Sequence, residues 1–317
     1  MSRYFIGRLF RIIPTLLLAV SLIFFAMRVL PGDTAEALLG QFGSRQAAEA
    51  LREQLGLNQP LWKQYIDYMA HLVKGDLGNS LALGGSILSL LVQVMPYTLV
   101  IVCGGIAIGV ALGIPLGVLS AVHRNTWIDY VARIGSLTGV SMPGFVIGII
   151  LILVFSVWLD WFPMVGGGNP SHLGTLLYYA VLPCLAAGLA MTAYVMRLAR
   201  STMLEVLGED YVRTARAKGL AEQVVLYKHA FRNALIPILT LIGIYVIVVV
   251  GDSILIEIVF SRPGFGRLIQ GGILQRDYTL LQSLLLVYVA FSAIVNLLLD
   301  LIYGLVDPRI GHARHES

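Results

Sequence analysis

Apolar residues along this chain come in long uninterrupted blocks, with short polar stretches between them. Six blocks are long enough to cross a bilayer as helices: about 12–30, 97–121, 134–159, 176–196, 235–256 and 282–304. The first block, about 19 residues, would extend roughly 28 Å at 1.5 Å per residue. A secretory apolar region is shorter and ends in a small-residue cleavage site. This block ends in Arg28-Val-Leu-Pro-Gly-Asp33, so it reads as a retained span. The predicted fold class is all-α, a polytopic membrane protein with six transmembrane helices.

The polar stretches divide the chain into an N-terminal tail with the first span (1–30), an outer segment (31–96), a five-helix core (97–304) and a C-terminal tail (305–317). The outer segment is patterned rather than featureless. Ser44 is placed to cap a helix running to Leu55, with Gly56 just past its end. A second helix is expected from Pro60 to just before Gly75, with Trp62, Tyr65, Ile66, Met69, Leu72 and Val73 on one apolar face. That face suits the membrane surface, a cap on the helix bundle or an external partner. In the second span Gly105, Gly109, Gly113 and Gly117 recur every four residues, a spacing that lets another helix backbone approach closely. Pro115 in the same stretch is a candidate kink.

Composition agrees with the pattern. The 317 residues are 57% hydrophobic and only 13% charged, against about 25% charged in soluble domains. The net charge of +4 points to membrane topology rather than to nucleic acid, for which no base-reading motif is present. Lys and Arg cluster before the first span, at Arg124 and Arg133, between Arg197 and Arg232, and at Arg309 and Arg314, while 160–175 has none. With basic loops inside, both termini are predicted to be cytoplasmic. Cys103 and Cys184 read as small apolar residues in helices.

No catalytic or metal-binding motif stands out, and no phosphate-cradling loop is present. Gly139-Val-Ser141-Met-Pro-Gly144 has the wrong spacing for a nucleophile elbow, so Ser141 reads as a capping or packing hydroxyl. The chain is therefore not expected to be an enzyme or to harness ATP by itself.

The informative loop is 197–234. Its centre fits a short helix with Glu209 and Asp210 at the start, Arg213, Arg216 and Lys218 toward the end, and Gly219 as terminator. Tyr211, Ala215 and Leu220 offer apolar contact, and Ala215 and Ala217 keep the helix slim. Such a helix could dock in a groove of a soluble protein or be an ordinary basic loop.

The run Glu209-Asp-Tyr-Val-Arg-Thr-Ala-Arg-Ala-Lys-Gly219, followed by His229-Ala-Phe-Arg-Asn233-Ala-Leu-Ile-Pro237, resembles the coupling loop of ABC importer permeases in its peptide/opine/nickel form. In the general pattern of that loop, Glu-Ala-Ala-x-x-x-Gly, only Ala215 and Gly219 match. Leu30-Pro-Gly-Asp33, Leu55–Trp62, Gly75-Asp-Leu-Gly78, Ser141-Met-Pro143, Phe260–Arg267, Arg276-Asp-Tyr278 and Asp307-Pro-Arg-Ile310 are similar to the same subgroup, in the same order. The likeness is greatest to the first permease subunit of dipeptide/oligopeptide importers, with nickel permeases next. It implies a type I importer permease fold and a second homologous permease subunit. It also implies two cytoplasmic ATPase subunits that bind ATP and Mg, and a periplasmic or lipid-anchored solute-binding protein at the bacterial inner membrane. The rivals are a permease for nickel, opines or another small solute, and a self-contained secondary transporter, which would need its own intramembrane ion site.

Charges within spans are costly and therefore candidates for function. Asp252 lies near the outer end of the fifth span with Glu257 just beyond, and both are candidates for the translocation path. Glu257 matches an acidic position of the resembled subgroup, whereas Asp252 does not. A bland alternative for Asp252 is pairing with a partner such as Arg28, or with water. Asn296 and Asp300 in the last span read as structural.

Overall fold

The computed structural model describes residues 2–29, 45–54 and 56–306. Ser44, Leu30–Asp33 and Asp307–Ile310 lie outside the described residues, as do the side chains of Arg3, Arg8, Arg11 and Asp300. The described residues are almost wholly helical: α1 Ser2–Val29, α2 Arg45–Gln54, α3 Leu61–Val73, α4 Ile87–Val122, α5 Trp127–Ser141 and α6 Gly144–Leu151, followed by α7 Leu173–Tyr178, α8 Val181–Leu207, α9 Asp210–Ala217, α10 Glu222–Val224, α11 Arg232–Val259, α12 Phe265–Leu274 and α13 Tyr278–Val306. A π-helical segment, Ile152–Trp158, continues α6, and another, Val225–Phe231, joins α10 to α11. Five helices are long and apolar enough to cross a membrane, or six if the bent pair α5 and α6 with its extension is one span.

That pair departs from the sequence expectation of a continuous helix over 134–159. The chain turns by 103° at Met142-Pro143. Pro143 has no N–H to donate, and the residue before a proline is pushed toward extended backbone; Met142 sits at φ −105°, ψ 119°. Other spans are longer than the apolar blocks suggest. Helix α8 runs on through Arg197 and Arg200 to Leu207, so much of the expected loop 197–234 is helical. Helix α4 passes Pro115 as one span.

The contacts divide the chain into two units, one comprising 1–5, 97–262 and 295–317, the other 6–96 and 263–294. In the first unit α8 is the hub. Its most apolar window is 61% buried, against 28% for α4 and for the 222–259 stretch. The cause is size: Ala186, Ala187, Gly188, Ala190, Ala193 and Ala199 present almost no side chain, so neighbouring backbones close in. The glycine stripe of α4 meets this surface. A Cβ on Gly105, Gly109, Gly113 or Gly117 would lie 2.6–2.8 Å from Ala187, Met191, Val195 or Ala199 respectively. At Gly117 the obstruction includes the Met196 carbonyl at 2.6 Å, which is backbone and cannot rotate away. The stripe is thus a helix–helix contact.

In the second unit α3 lies on α1. Tyr65 and Tyr68 pack on Phe24 and Phe25, the Tyr65 and Ser21 hydroxyls are 2.7 Å apart, and Arg28 Nε donates to Gln64 Oε1 at 3.0 Å. The predicted apolar face of α3 is therefore divided. Tyr65, Met69 and Leu72 turn inward, while Trp62, Ile66 and Val73 stay exposed. Buried Asp277 fixes the end of this unit, accepting from Ser80 Oγ at 2.7 Å, Ala82 N at 3.2 Å and the α13 amide of Leu280 at 3.0 Å. The motif Arg276-Asp-Tyr278 thus caps a helix and pins a distant loop.

Gly117→Ala should lower the thermal midpoint of the purified protein by the equivalent of about 1–3 kcal/mol, because the α4–α8 approach must open. Gly135, in α5, has nothing within 4 Å of the place a Cβ would take. Gly135→Ala should leave the midpoint unchanged or raise it, since alanine favours helix by up to about 1 kcal/mol. Equal losses at both positions would contradict the packing described.

Candidate coupling site

The loop after α8 builds a helix of eight residues between two glycines. Gly208 ends α8, Glu209 is extended at φ −71°, ψ 147°, and α9 follows as Asp210–Ala217. Glu209 stands at the N-cap position without a side-chain cap bond. Gly219 adopts φ +75°, a left-handed conformation that costs other residues about 1–2 kcal/mol. The sequence places this terminator correctly.

So short a helix needs an anchor. Val212 is fully buried and Ala215 nearly so, three residues apart on one face, packed with buried Val225 and flanked by Val206 and Leu207. Of the residues expected to offer apolar contact, Ala215 is taken up by this anchor, whereas Tyr211 and Leu220 stay exposed, at 41% and 40%. Val212 and Val225 were missed because a lone valine in a polar run carries no periodic signal.

The opposite face is polar and open. Asp210, Tyr211, Arg213, Ala217 and Lys218 are exposed, and the Asp210–Arg213 pair at 3.5 Å contributes little in water. Arg216 has a different place. Its Nη2 and Nε donate to Glu222 Oε1 and Oε2 at 2.8 and 3.2 Å, and that carboxylate raises the guanidinium pKa. The bidentate pair braces α9 against the start of α10. Val225 opens the π-helical segment leading into α11, so the anchor of α9 is continuous with a spanning helix.

Beneath the anchor a second core joins Ala121 of α4, Ala199 and Met203 of α8, Ala230 of the π-helical segment, and Ala234 and Ile238 of α11. Close by stands a buried ion pair that sequence reasoning did not single out. Asp129 has no exposed surface; Arg200 Nε and Nη2 donate to its two oxygens at 2.6 and 2.8 Å. Ser120 Oγ and the Asn125 amide complete its shell at 2.7 and 3.0 Å. One carboxylate thus ties α4, α5 and α8 together. Asp129 was hidden because it lies in the first turn of α5, where an acidic residue is commonplace.

The candidate path residues separate. Glu257 is fully buried and accepts from Thr98 Oγ1 at 2.6 Å. Nearby Arg262 is also fully buried, its guanidinium over the Tyr97 ring at 5.3 Å and its Nη2 3.4 Å from the Leu176 carbonyl. Asp252 is half-buried, forms no hydrogen bond or ion pair with any described residue, and lines a small cleft with Tyr194 and Tyr245. Arg28, the partner considered for it, bonds Gln64 instead. Asn296 is exposed, and Ser141 Oγ bonds back to the Leu137 carbonyl at 2.9 Å. No group of three or more His, Cys, Asp or Glu that could hold a metal occurs among the described residues.

Residues 113–312 match the family described as binding-protein-dependent transport system inner membrane component, and residues 1–102 match that family's N-terminal module. The chain is 37% identical over 310 residues to the glutathione transport system permease protein GsiC of Escherichia coli O6:H1, covering 98% of this chain and 99% of that one. It is 38% identical over 318 residues to the protein of the same name from Pectobacterium atrosepticum, with the same coverage. Among solved structures, the inward-facing MetNI methionine ABC transporter contains a chain of the same fold, with TM-score 0.56 and 20% identity, covering 69% of this chain and 96% of that chain.

Asp129→Asn should destabilise the purified protein by about 1–3 kcal/mol, because the charge-assisted bonds from Arg200, which keeps some access to water, become weaker neutral ones. Asp129→Asn with Arg200→Leu should cost at least about 1 kcal/mol less than the sum of the single changes. Strict additivity in thermal unfolding would contradict a direct pair.

Proposed function

The chain belongs to the family of binding-protein-dependent transport system inner membrane components, and from that premise we propose that it forms half of a translocation path for peptides or similar small solutes, driven through α9. It is a membrane-embedded permease subunit of an ABC importer, and ATP hydrolysis is the work of separate subunits of that importer. The observation that carries the coupling role is the seating of α9. Its inner face is locked by Val212 and Ala215, its outer face offers charges and Tyr211, and its anchor continues into α11.

In this reading two cytoplasmic ATPase subunits bind ATP and Mg and receive the exposed face formed by Asp210, Tyr211, Arg213, Ala217 and Lys218. Glu209 and Gly219 set the ends of the helix, and Arg216 holds its angle. A second homologous permease completes the path, and a periplasmic or lipid-anchored binding protein delivers solute from outside. Both termini face the cytoplasm. The 31–96 segment lies outside, and the core from 97 to 304 carries the path. Small peptides are favoured as solutes because curated relatives of nearly equal length carry the name of glutathione transport. Of the two candidates for the path, Glu257 is buried against Thr98 and joins α4 to α11, while Asp252 lines an open cleft.

Val212→Asp should reduce ATP-driven uptake by the reconstituted transporter at least about tenfold, because an unpaired buried charge costs enough to unseat the helix. Basal hydrolysis by the ATPase subunits should persist. Arg213→Ala, on the open face, should leave the thermal midpoint unchanged while weakening the response of hydrolysis to solute. Wild-type uptake by the Val212→Asp transporter would refute the coupling role.

A further inference from the structure

Helices α8 and α11 run side by side, and each contributes one stripe to a common cleft. From α8 come Ala187, Met191 and Tyr194; from α11 come Tyr245, Val248 and Asp252. Both sets recur at helical spacing, so the cleft is a property of two facing helix surfaces rather than a loop accident. The Tyr194 and Tyr245 rings lie 4.5 Å apart at 34°. Asp252 stands two turns along α11 from Tyr245, roughly 10 Å at 1.5 Å per residue. Small Ala187 also lines the cleft, and the free space of about 10 Å³ holds one water-sized group.

A half-buried carboxylate with no partner among the described residues is unusual in an apolar bundle. Its surroundings supply none of the usual remedies. Among the described residues no Lys or Arg lines the cleft and no hydroxyl bonds the carboxylate; the nearest cation to act on the lining is Arg197, at the Tyr245 end, away from Asp252. What the cleft does supply is two aromatic rings, whose faces attract cations, and a carboxyl group with no partner among the described residues. An ammonium head is water-sized and cationic, which suits the space and the ring faces, and its three N–H groups can donate to a carboxylate.

From this geometry we propose that Asp252, Tyr194 and Tyr245 form a selectivity station for solutes that carry a cationic group such as a free amine, with Asp252 as the determinant of charge preference. The proposal rests on the reading of this subunit as half of a solute path. The amine is held first by Asp252 and passes along the Tyr194–Tyr245 surface toward the α9 end of the helices. Solutes without a cation lose this hold, and anionic solutes are opposed by it.

The charge preference can be read without knowing the solute. Val248 is 42% exposed, lines the cleft and is one turn from Asp252. The assembled transporter carrying Val248→Cys and Cys103→Ser is placed in proteoliposomes, and thiol modification is timed with a trimethylammonium-bearing, a sulfonate-bearing and a neutral methanethiosulfonate. Rates are normalised to a free thiol in water and to the parent with Val248 retained. The cationic reagent should exceed the anionic one by about tenfold or more, the scale expected for a charge some 6 Å away in a partly screened site. Asp252→Asn should bring the ratio close to that of the free thiol, and Asp252→Glu should keep it. The neutral rate, unchanged within about twofold, shows that the cleft is intact in each variant. An unaltered ratio in Asp252→Asn, a preference for the anionic reagent, or no modification by any reagent would each overturn the proposal. ATP-driven uptake measured on the same vesicles reports separately on the importer reading, so a loss there is not mistaken for failure of the station.

Discussion

Eight residues do not make a stable helix in water, because nucleation consumes most of what so few backbone bonds return. Helix α9 exists because Val212 and Ala215 are pressed against Val225. Everything proposed for this subunit depends on that seat. A helix held only by its own charges would yield when pushed, whereas one keyed into the segment that becomes α11 must carry that segment with it. The bidentate Arg216–Glu222 pair adds direction to the hold, and Gly219 at φ +75° turns the chain back so that the hold is possible.

What lies behind the seat is stiff. Small residues along α8 bring α4, α5, α6 and α11 to near backbone contact, and close packing transmits displacement rather than absorbing it. At the end nearest α9, Asp129 binds Arg200, Ser120 and the Asn125 amide at once, so α4, α5 and α8 are joined by hydrogen bonds as well as by packing. Close packing of this kind favours rigid-body steps over continuous deformation, the mode suited to the proposed two-state role. Farther along α8 and α11 the packing opens at the Asp252 cleft, where the two helices also face the proposed route of the solute.

Much of this was legible in the sequence, and the reasons are physical. Apolar length gave the spans, because a bilayer enforces it. The four-residue glycine period gave a close helix contact on that face of α4, because only a missing Cβ permits that approach; that the partner is α8 came from the structure. Charge order and Gly219 gave α9, with its first and last residues nearly in place. The bend at Met142-Pro143 was not read, since the apolar block runs straight across it and only backbone sterics divide it. Val212, Val225 and Glu222 were invisible because their importance lies in contact between segments with no shared period. Asp129 looked like an ordinary first-turn acid until its arginine, 71 residues away, was found beside it.

The central claim is that the outer face of α9 is where an ATPase subunit takes hold. A cysteine in place of Ala217, exposed on that face, tests it directly when the assembled transporter is treated with a short bifunctional thiol cross-linker and the products are identified by mass. The account predicts a covalent adduct with the ATPase subunit, and predicts that a cysteine in place of exposed Ser201, on α8 and outside the helix, gives far less. Capture of the ATPase from position 201 but not from 217, in a transporter that still imports, would contradict it.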